Sequence, residues 1–148
     1  MADRVSPVVR SRIMAAIRGK DTSPELAVRR YLHRCGLRYR LHAAGLLGKP
    51  DLSFPRYRTV VFVHGCFWHV HPGCRYGRIP NSNRAYWASK LRRNVLRDKR
   101  NVSQLKELGW HVETIWECQI GDRVLSRLAC RIRSRANVRT LASSNRLV

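Results

Sequence analysis

The stretch Thr59-Val60-Val61-Phe62-Val63-His64-Gly65-Cys66-Phe67-Trp68-His69-Val70-His71-Pro72-Gly73-Cys74 changes character at its middle. Its first five residues are a short, β-branched apolar run, the pattern of a buried strand. Gly65 breaks that strand. Three imidazoles, two thiols and two adjacent large aromatics then crowd residues 64–74. Reactive groups at the carboxyl end of a strand sit where open α/β sheets carry their chemistry.

The chain on either side supplies the rest of such a sheet. Lys49 to Phe54 reads as a strand with Asp51 near its start, and Pro55-Arg56-Tyr57-Arg58 turns back into the strand ending at Val63. Antiparallel pairing across that turn brings Asp51 and His64 together. Upstream, Leu37, Tyr39 and Leu41 alternate with polar residues, a half-buried strand. Thr22 and Glu25 have capping-box spacing ahead of a helix whose apolar face is Val28, Tyr31, Leu32 and Cys35. An earlier helix is expected over residues 6–19, capped by Ser6 with Pro7 in its first turn; Val9, Ile13 and Ile17 form its apolar face, with Met14 beside them.

Downstream, Asn81 or Ser82 caps a long basic helix through Trp87, Leu91, Val95, Asp98 and Leu105, closed by Gly109. Trp110 to Trp116 is a further strand, and Val124, Leu125, Leu128 and Ile132 mark a last helix. Residues 135–148 show no period and read as an unstructured tail. The expectation is a single α/β domain over residues 1–134, with a mixed sheet flanked by helices.

Thirty Lys and Arg against nine acidic residues give a net charge of +21 in 148 residues, which calls for a polyanionic partner, foremost nucleic acid. Basicity alone does not separate DNA from RNA, nor an enzyme from a passive binder. No apolar run is long enough to span a membrane, and the polar amino terminus is unlike a signal peptide. Five cysteines, an odd count, argue for a reducing cytoplasm and a metal site over a disulfide framework.

Two chemistries are latent. Cys66, His71 and Cys74, with Cys118 at a strand end, form the donor set of a closed structural zinc site; the plain alternative is unrelated buried thiols. A Pro-Asp pair opening one strand, with polar residues ending the next, is a nuclease layout in which the acid holds Mg²⁺. The usual second acid and lysine are missing, so His64 and His69 must stand in for them. Asp98 can orient a histidine, but from its spacing alone a salt bridge along its own helix is the favoured reading. Glu25 by spacing is a helix cap. Phe67 and Trp68 sit in a loop that suits base stacking, whereas Trp87 lies on an apolar helix stripe and reads as core, as do Trp110 and Trp116 on their strand.

The motifs HGCFWH at 64–69, GKPD at 48–51, RSRIM at 10–14, DTSPE at 21–25, NVLRD at 94–98, LKELGW at 105–110 and WEC at 116–118 resemble, in order and spacing, the very short patch repair endonuclease family. That resemblance covers roughly residues 5–120. It implies a restriction-endonuclease-like α/β fold and a Mg²⁺-dependent nick 5′ to the thymine of a T·G mismatch, produced when 5-methylcytosine deaminates. Carried onto this chain, Asp51 and the main-chain carbonyl of Val63 would hold Mg²⁺. His69 oriented by Asp98 would activate water, and His64 would assist at the phosphate or leaving group. Glu25 would join the active site, and Cys66, His71, Cys74 and Cys118 would hold zinc. Phe67, Trp68 and Trp87 would enter the duplex beside the mismatch, with Met14 approaching from the other groove. The partner would be double-stranded DNA and the protein a cytoplasmic monomer. The rival reading is a zinc-stabilised DNA-binding protein without catalysis.

Overall fold

The structure, a computed structural model, describes Ser6, Val8, Val9 and residues 21–144, with side chains through Ala136. The basic helix expected over 6–19, with Met14, lies almost wholly outside these residues. Val8 and Val9 are helical, and the Ser6 hydroxyl accepts the Val9 N–H at 3.3 Å.

Helix α1 (Ser23–Arg34) starts where Thr22 Oγ1 accepts the Glu25 N–H at 3.4 Å, and Gly36 closes it with φ 81°. The strand expected around Leu37–Leu41 shrinks to β1 (Arg40–Leu41). His42 takes a positive φ of 45°, which ends the ladder, and Leu37 serves the core from an irregular segment. β2 (Leu52–Phe54), a single 3₁₀ turn over Pro55–Tyr57 and β3 (Thr59–His64) form the expected hairpin, with Leu52 opposite Val61. Arg58, at φ 49°, makes the left-handed step that closes the turn.

Helix α2 (Arg84–Glu107) then crosses back so that β4 (His111–Trp116) lies parallel to β3. Parallel neighbours require such a crossover. The cap of α2 is neither Asn81 nor Ser82 but Asn83, in the left-handed region at φ 50°. The four strands form one mixed sheet in the order β1-β2-β3-β4.

Both faces of β3 are covered, which is why its sequence is a continuous apolar run. Val61 faces α1 and helix α3 (Asp122–Ser144), among Val28, Leu32, Phe54, Ile115, Leu128 and Ile132. Val60 and Phe62 face α2 through Leu105, with Trp110 and Val112 packed alongside.

The tail expected from residue 135 is instead helical to Ser144; residues 145–148 are not among those described. Apolar periodicity does stop at Ile132, but charge continues the helix's attachment to the sheet. Arg131 grips the Glu113 carboxylate with Nε and Nη2 at 3.2 and 3.1 Å. Arg135 reaches Glu113 at 2.7 Å and the Thr59 hydroxyl at 3.1 Å. No helix among the described residues is long and apolar enough to cross a membrane.

Burial opposes ionisation of Glu113, but the two guanidiniums outweigh it and hold its carboxyl below the ordinary range. The pair therefore stabilises the fold above the ordinary carboxyl pKa and loses that contribution as acid protonates Glu113. Glu113→Gln should cost about 1–3 kcal/mol at neutral pH, read by thermal or urea melting, since charge-assisted hydrogen bonds are worth that much.

Candidate active site and metal centre

Asp51 stands just before β2, and His64 is the last residue of β3, so the hairpin delivers both to one end of the sheet. Asp51 Oδ2 accepts the Val63 N–H at 2.7 Å. Burial pushes the Asp51 carboxyl up to about 6, helped by neighbouring Glu25 and opposed by the Val63 N–H and by His42.

The turn after Gly65 folds back on itself: His69 N–H donates to the Gly65 carbonyl at 3.2 Å, and His71 N–H to that of Cys66 at 2.9 Å. His69 thereby stacks on His64, with ring centroids 3.8 Å apart and planes within 3°. Its Nδ1 lies 2.6 Å from Asp98 Oδ2. Asp98 thus faces a histidine 29 positions away rather than pairing along its own helix. Burial, and then the adjacent His69, lower His64 to about 4 against the pull of Asp98. At neutral pH the His64 ring is therefore uncharged, able both to donate and to accept.

Cys66, His71, Cys74 and Cys118 place their ligand atoms within 4.8 Å of one another. His71 Nδ1 lies 3.6 Å from Cys66 Sγ and 3.4 Å from Cys118 Sγ, and the Cys74 and Cys118 sulfurs are 3.9 Å apart. A tetrahedral ion at ordinary metal–sulfur and metal–nitrogen lengths would give ligand edges of about 3.6–3.8 Å. The donor set and its spacing therefore fit a metal ion. Burial pushes the Cys66 thiol up to about 11, so an ion entering here must displace a proton.

Supports hold this centre on both sides. Glu117 Oε1 accepts the Cys66 N–H at 3.1 Å. The Trp116 ring stacks on His71 at 4.2 Å and meets His64 edge-on at 5.2 Å. Trp116 is thus a bridge between the two clusters, not the core residue its strand position suggests.

The aromatics gather on the same side. Phe67, Trp68 and Trp87 form a mutually edge-on or tilted trio with centroids 5.0–6.0 Å apart. Lys90 Nζ lies 5.7 Å from the Trp68 ring and 6.0 Å from that of Trp87. Phe67 and Trp68 are half-buried, whereas Trp87 is only 7% exposed. In the protein without DNA, Trp87 sits as its helix stripe predicted.

Sequence reading missed several participants. Asn94 donates to the Trp68 carbonyl at 3.1 Å, tying the turn to α2. Asp21, Arg29 and His42 surround Glu25, and nothing in their spacing announces it. Glu25 does not complete a standard capping box: its Oε2 accepts the N–H of Asp21, at 3.0 Å, instead of that of Thr22.

Glu25, Asp51, Val63, His64, His69 and Asp98 all line one cleft of about 1280 Å³. A mixed sheet covered by helices, with an acid and two histidines converging in a cleft at one end, is an α/β framework whose site suits metal-assisted phosphodiester hydrolysis. The family described as DNA mismatch endonuclease Vsr matches residues 2–75. The nicking enzyme V.XorIIP of Xanthomonas oryzae pv. oryzae is 47% identical over 134 residues, covering 90% of this chain and 96% of that protein. The DNA mismatch endonuclease Vsr of Escherichia coli K12 is 42% identical over 123 residues, covering 83% and 78% respectively. The chain belongs to the Vsr DNA mismatch endonuclease family.

Gly77 lies against the loop that carries the Cys/His cluster, where an added Cβ would meet the His71 carbonyl oxygen at 2.5 Å and its nitrogen at 2.7 Å. Backbone cannot yield as a side chain end would. Gly77→Ala should therefore displace His71 and lower the metal bound per chain, measured by elemental analysis after dialysis against a weak chelator.

Proposed function

We propose that this chain nicks one strand of double-stranded DNA 5′ to the thymine of a T·G mismatch, opening repair that restores C·G after deamination of 5-methylcytosine. The observation that carries the reading is the convergence of Asp51, His64 and the His69–Asp98 pair in one cleft of a Vsr-family chain. The HGCFWH and WEC motifs carry the T·G assignment.

Asp51 and the Val63 carbonyl would hold Mg²⁺, an ion that favours oxygen donors and keeps several waters. Neighbouring carboxyl groups in the cleft support a cation, because Glu25 beside Asp51 disfavours the charge on Asp51. When bound, the ion supplies Lewis-acid polarisation of the phosphodiester.

The chain's own groups do the rest. Asp98 holds His69 at Nδ1 and leaves Nε2 to take a proton from water. His64, uncharged at neutral pH, donates a hydrogen bond towards the phosphate or leaving oxygen. Glu25 acts beside Asp51. Zinc is the ion assigned to Cys66, His71, Cys74 and Cys118, since two-element Cys/His tetrahedra are its preferred structural site.

Phe67 and Trp68 wedge into the duplex, where a wobble pair costs less to open than a matched one. Trp87 backs them and reaches DNA only if the trio opens, and Met14 approaches from the other groove. The basic face of α2, with Arg92, Arg93, Arg97, Lys99 and Arg100, meets the phosphates. The protein acts as a monomer in the cytoplasm.

Asp51→Asn should abolish nicking of a T·G duplex and leave gel-shift binding intact, because it removes a metal ligand and no phosphate clamp. Undiminished nicking would sink the reading. The same variant should be more stable than the parent at neutral pH without Mg²⁺, by about 1–3 kcal/mol, since a buried ionised carboxyl is removed. The sign follows from a folded value above the ordinary 3.8: Asp51's contribution is full below 3.8 and lost as pH rises through about 6.

Nicking should show the opposite slope, falling as pH drops through the value at which Asp51 takes up a proton. Proton and cation compete for the same oxygens, so this acid limb should move to lower pH as Mg²⁺ is raised. Rate–pH profiles at two Mg²⁺ concentrations test it; an acid limb indifferent to Mg²⁺ would remove Asp51 from the cation site.

A further inference from the structure

Asp21, Glu25 and His42 also bring ligand atoms within 4.8 Å of one another, in an arrangement that resembles a third ion site. A side chain already fills it. Arg29 Nη2 lies 2.6 Å from Asp21 Oδ1, 3.0 Å from Glu25 Oε2 and 3.0 Å from His42 Nε2. Nη2 carries two N–H groups, which the two carboxylates take, and His42 Nε2 packs against the same nitrogen. Arg29 is 8% exposed and Glu25 3%, so this arginine, in a chain with 30 basic residues, is turned away from any phosphate.

The hydrogen bonds to Glu25 are one-sided. Arg29 at 3.0 Å and the Asp21 N–H at 3.0 Å both reach Oε2. Neither bond uses Oε1, and Glu25 lines the same cleft as Asp51. A carboxyl group at that depth needs fixed donors to hold one rotamer. Repulsion between Arg29 and a cation in the cleft is blunted, because Asp21 pairs with the same guanidinium.

We propose that Arg29 is a positioning residue for the divalent-cation site: it locks Glu25 through Oε2, turned so that Oε1 joins Asp51 in facing the cation, while Asp21 holds the guanidinium in place. The inference rests on the reading of Asp51 as a cation ligand given above. Arg29 touches neither substrate nor cation; it acts through Glu25.

The test is a double-mutant cycle on the zinc-loaded full chain, with Mn²⁺ as the probe. Binding is read from the free-Mn²⁺ EPR signal, alongside the half-saturating Mg²⁺ concentration for nicking and the melting temperature. Arg29→Gln should weaken Mn²⁺ binding and raise half-saturating Mg²⁺ by roughly 10–100-fold, the usual cost of losing a partner that orients a metal ligand. Arg29→Lys should recover part of the loss. Glu25→Gln should also weaken binding, and adding Arg29→Gln to it should do nothing more, the signature of two residues acting as one unit.

A merely structural arginine would lower the melting temperature in both backgrounds and leave cation affinity unchanged. That result, or additive losses in the cycle, overturns the proposal. If Arg29→Gln does not fold, Asp21→Asn loosens the clamp from the exposed side and should give a smaller loss that again vanishes with Glu25→Gln; unchanged affinity in Asp21→Asn counts against the proposal. Asp51→Asn serves as the reference. If it keeps Mn²⁺ binding, the cation reading of Asp51 fails; if it loses binding while the Arg29 and Glu25 variants do not couple, only the inference about Arg29 fails.

Discussion

The parallel pairing of β3 with β4, in a register that sets His64 opposite Trp116, is the constraint on which both clusters depend. Beyond that pair the two strands release His64, Cys66, Glu117 and Cys118 at the same level. Cys118 thereby reaches His71, Glu117 reaches the Cys66 N–H, and Trp116 lies between His64 and His71. A slip of one residue would turn every side chain on β4 to the other face and separate Cys118 from its partners. The register is secured from behind by packing on both faces of β3 and by Glu113, midway along β4, in the grip of Arg131 and Arg135.

The active cleft, by contrast, is assembled against its own electrostatics. Burial pushes Asp51 up and His64 down, so each is driven towards its uncharged form. Groups displaced in opposite directions within one pocket are what acid–base and metal-assisted chemistry draws on, and they cost stability that packing elsewhere must offset. The His69–Asp98 contact and the Arg29 network counter this locally, each by setting an opposite charge or a strong donor against a buried group.

The aromatic trio stands between these extremes. Phe67 and Trp68 come from the tight turn after Gly65 and are held by Asn94, while Trp87 comes from the first turns of α2. Their edge-on contacts make one unit out of a loop and a helix, next to Lys90 and the basic face of α2. Any movement of Trp87 towards a ligand must break ring contacts on both sides, so its exposure is coupled to that of Phe67 and Trp68.

Local pattern in the sequence was enough to determine the hairpin from Asp51 to His64, the long helix before β4 and the Cys/His donor set, because strand alternation, helical spacing and turn residues act over a few positions. The motifs HGCFWH and WEC also marked the family. The extent of α3 was illegible, since after Ile132 it is tied down by Arg135, through an ion pair to Glu113 and a hydrogen bond to the Thr59 hydroxyl, rather than by an apolar stripe. The bridging place of Trp116 and the Asp21–Arg29–His42 shell around Glu25 were decided only in the tertiary structure. Each is a contact between side chains far apart in the chain, where the energy depends on burial and on distances that spacing along the sequence does not fix.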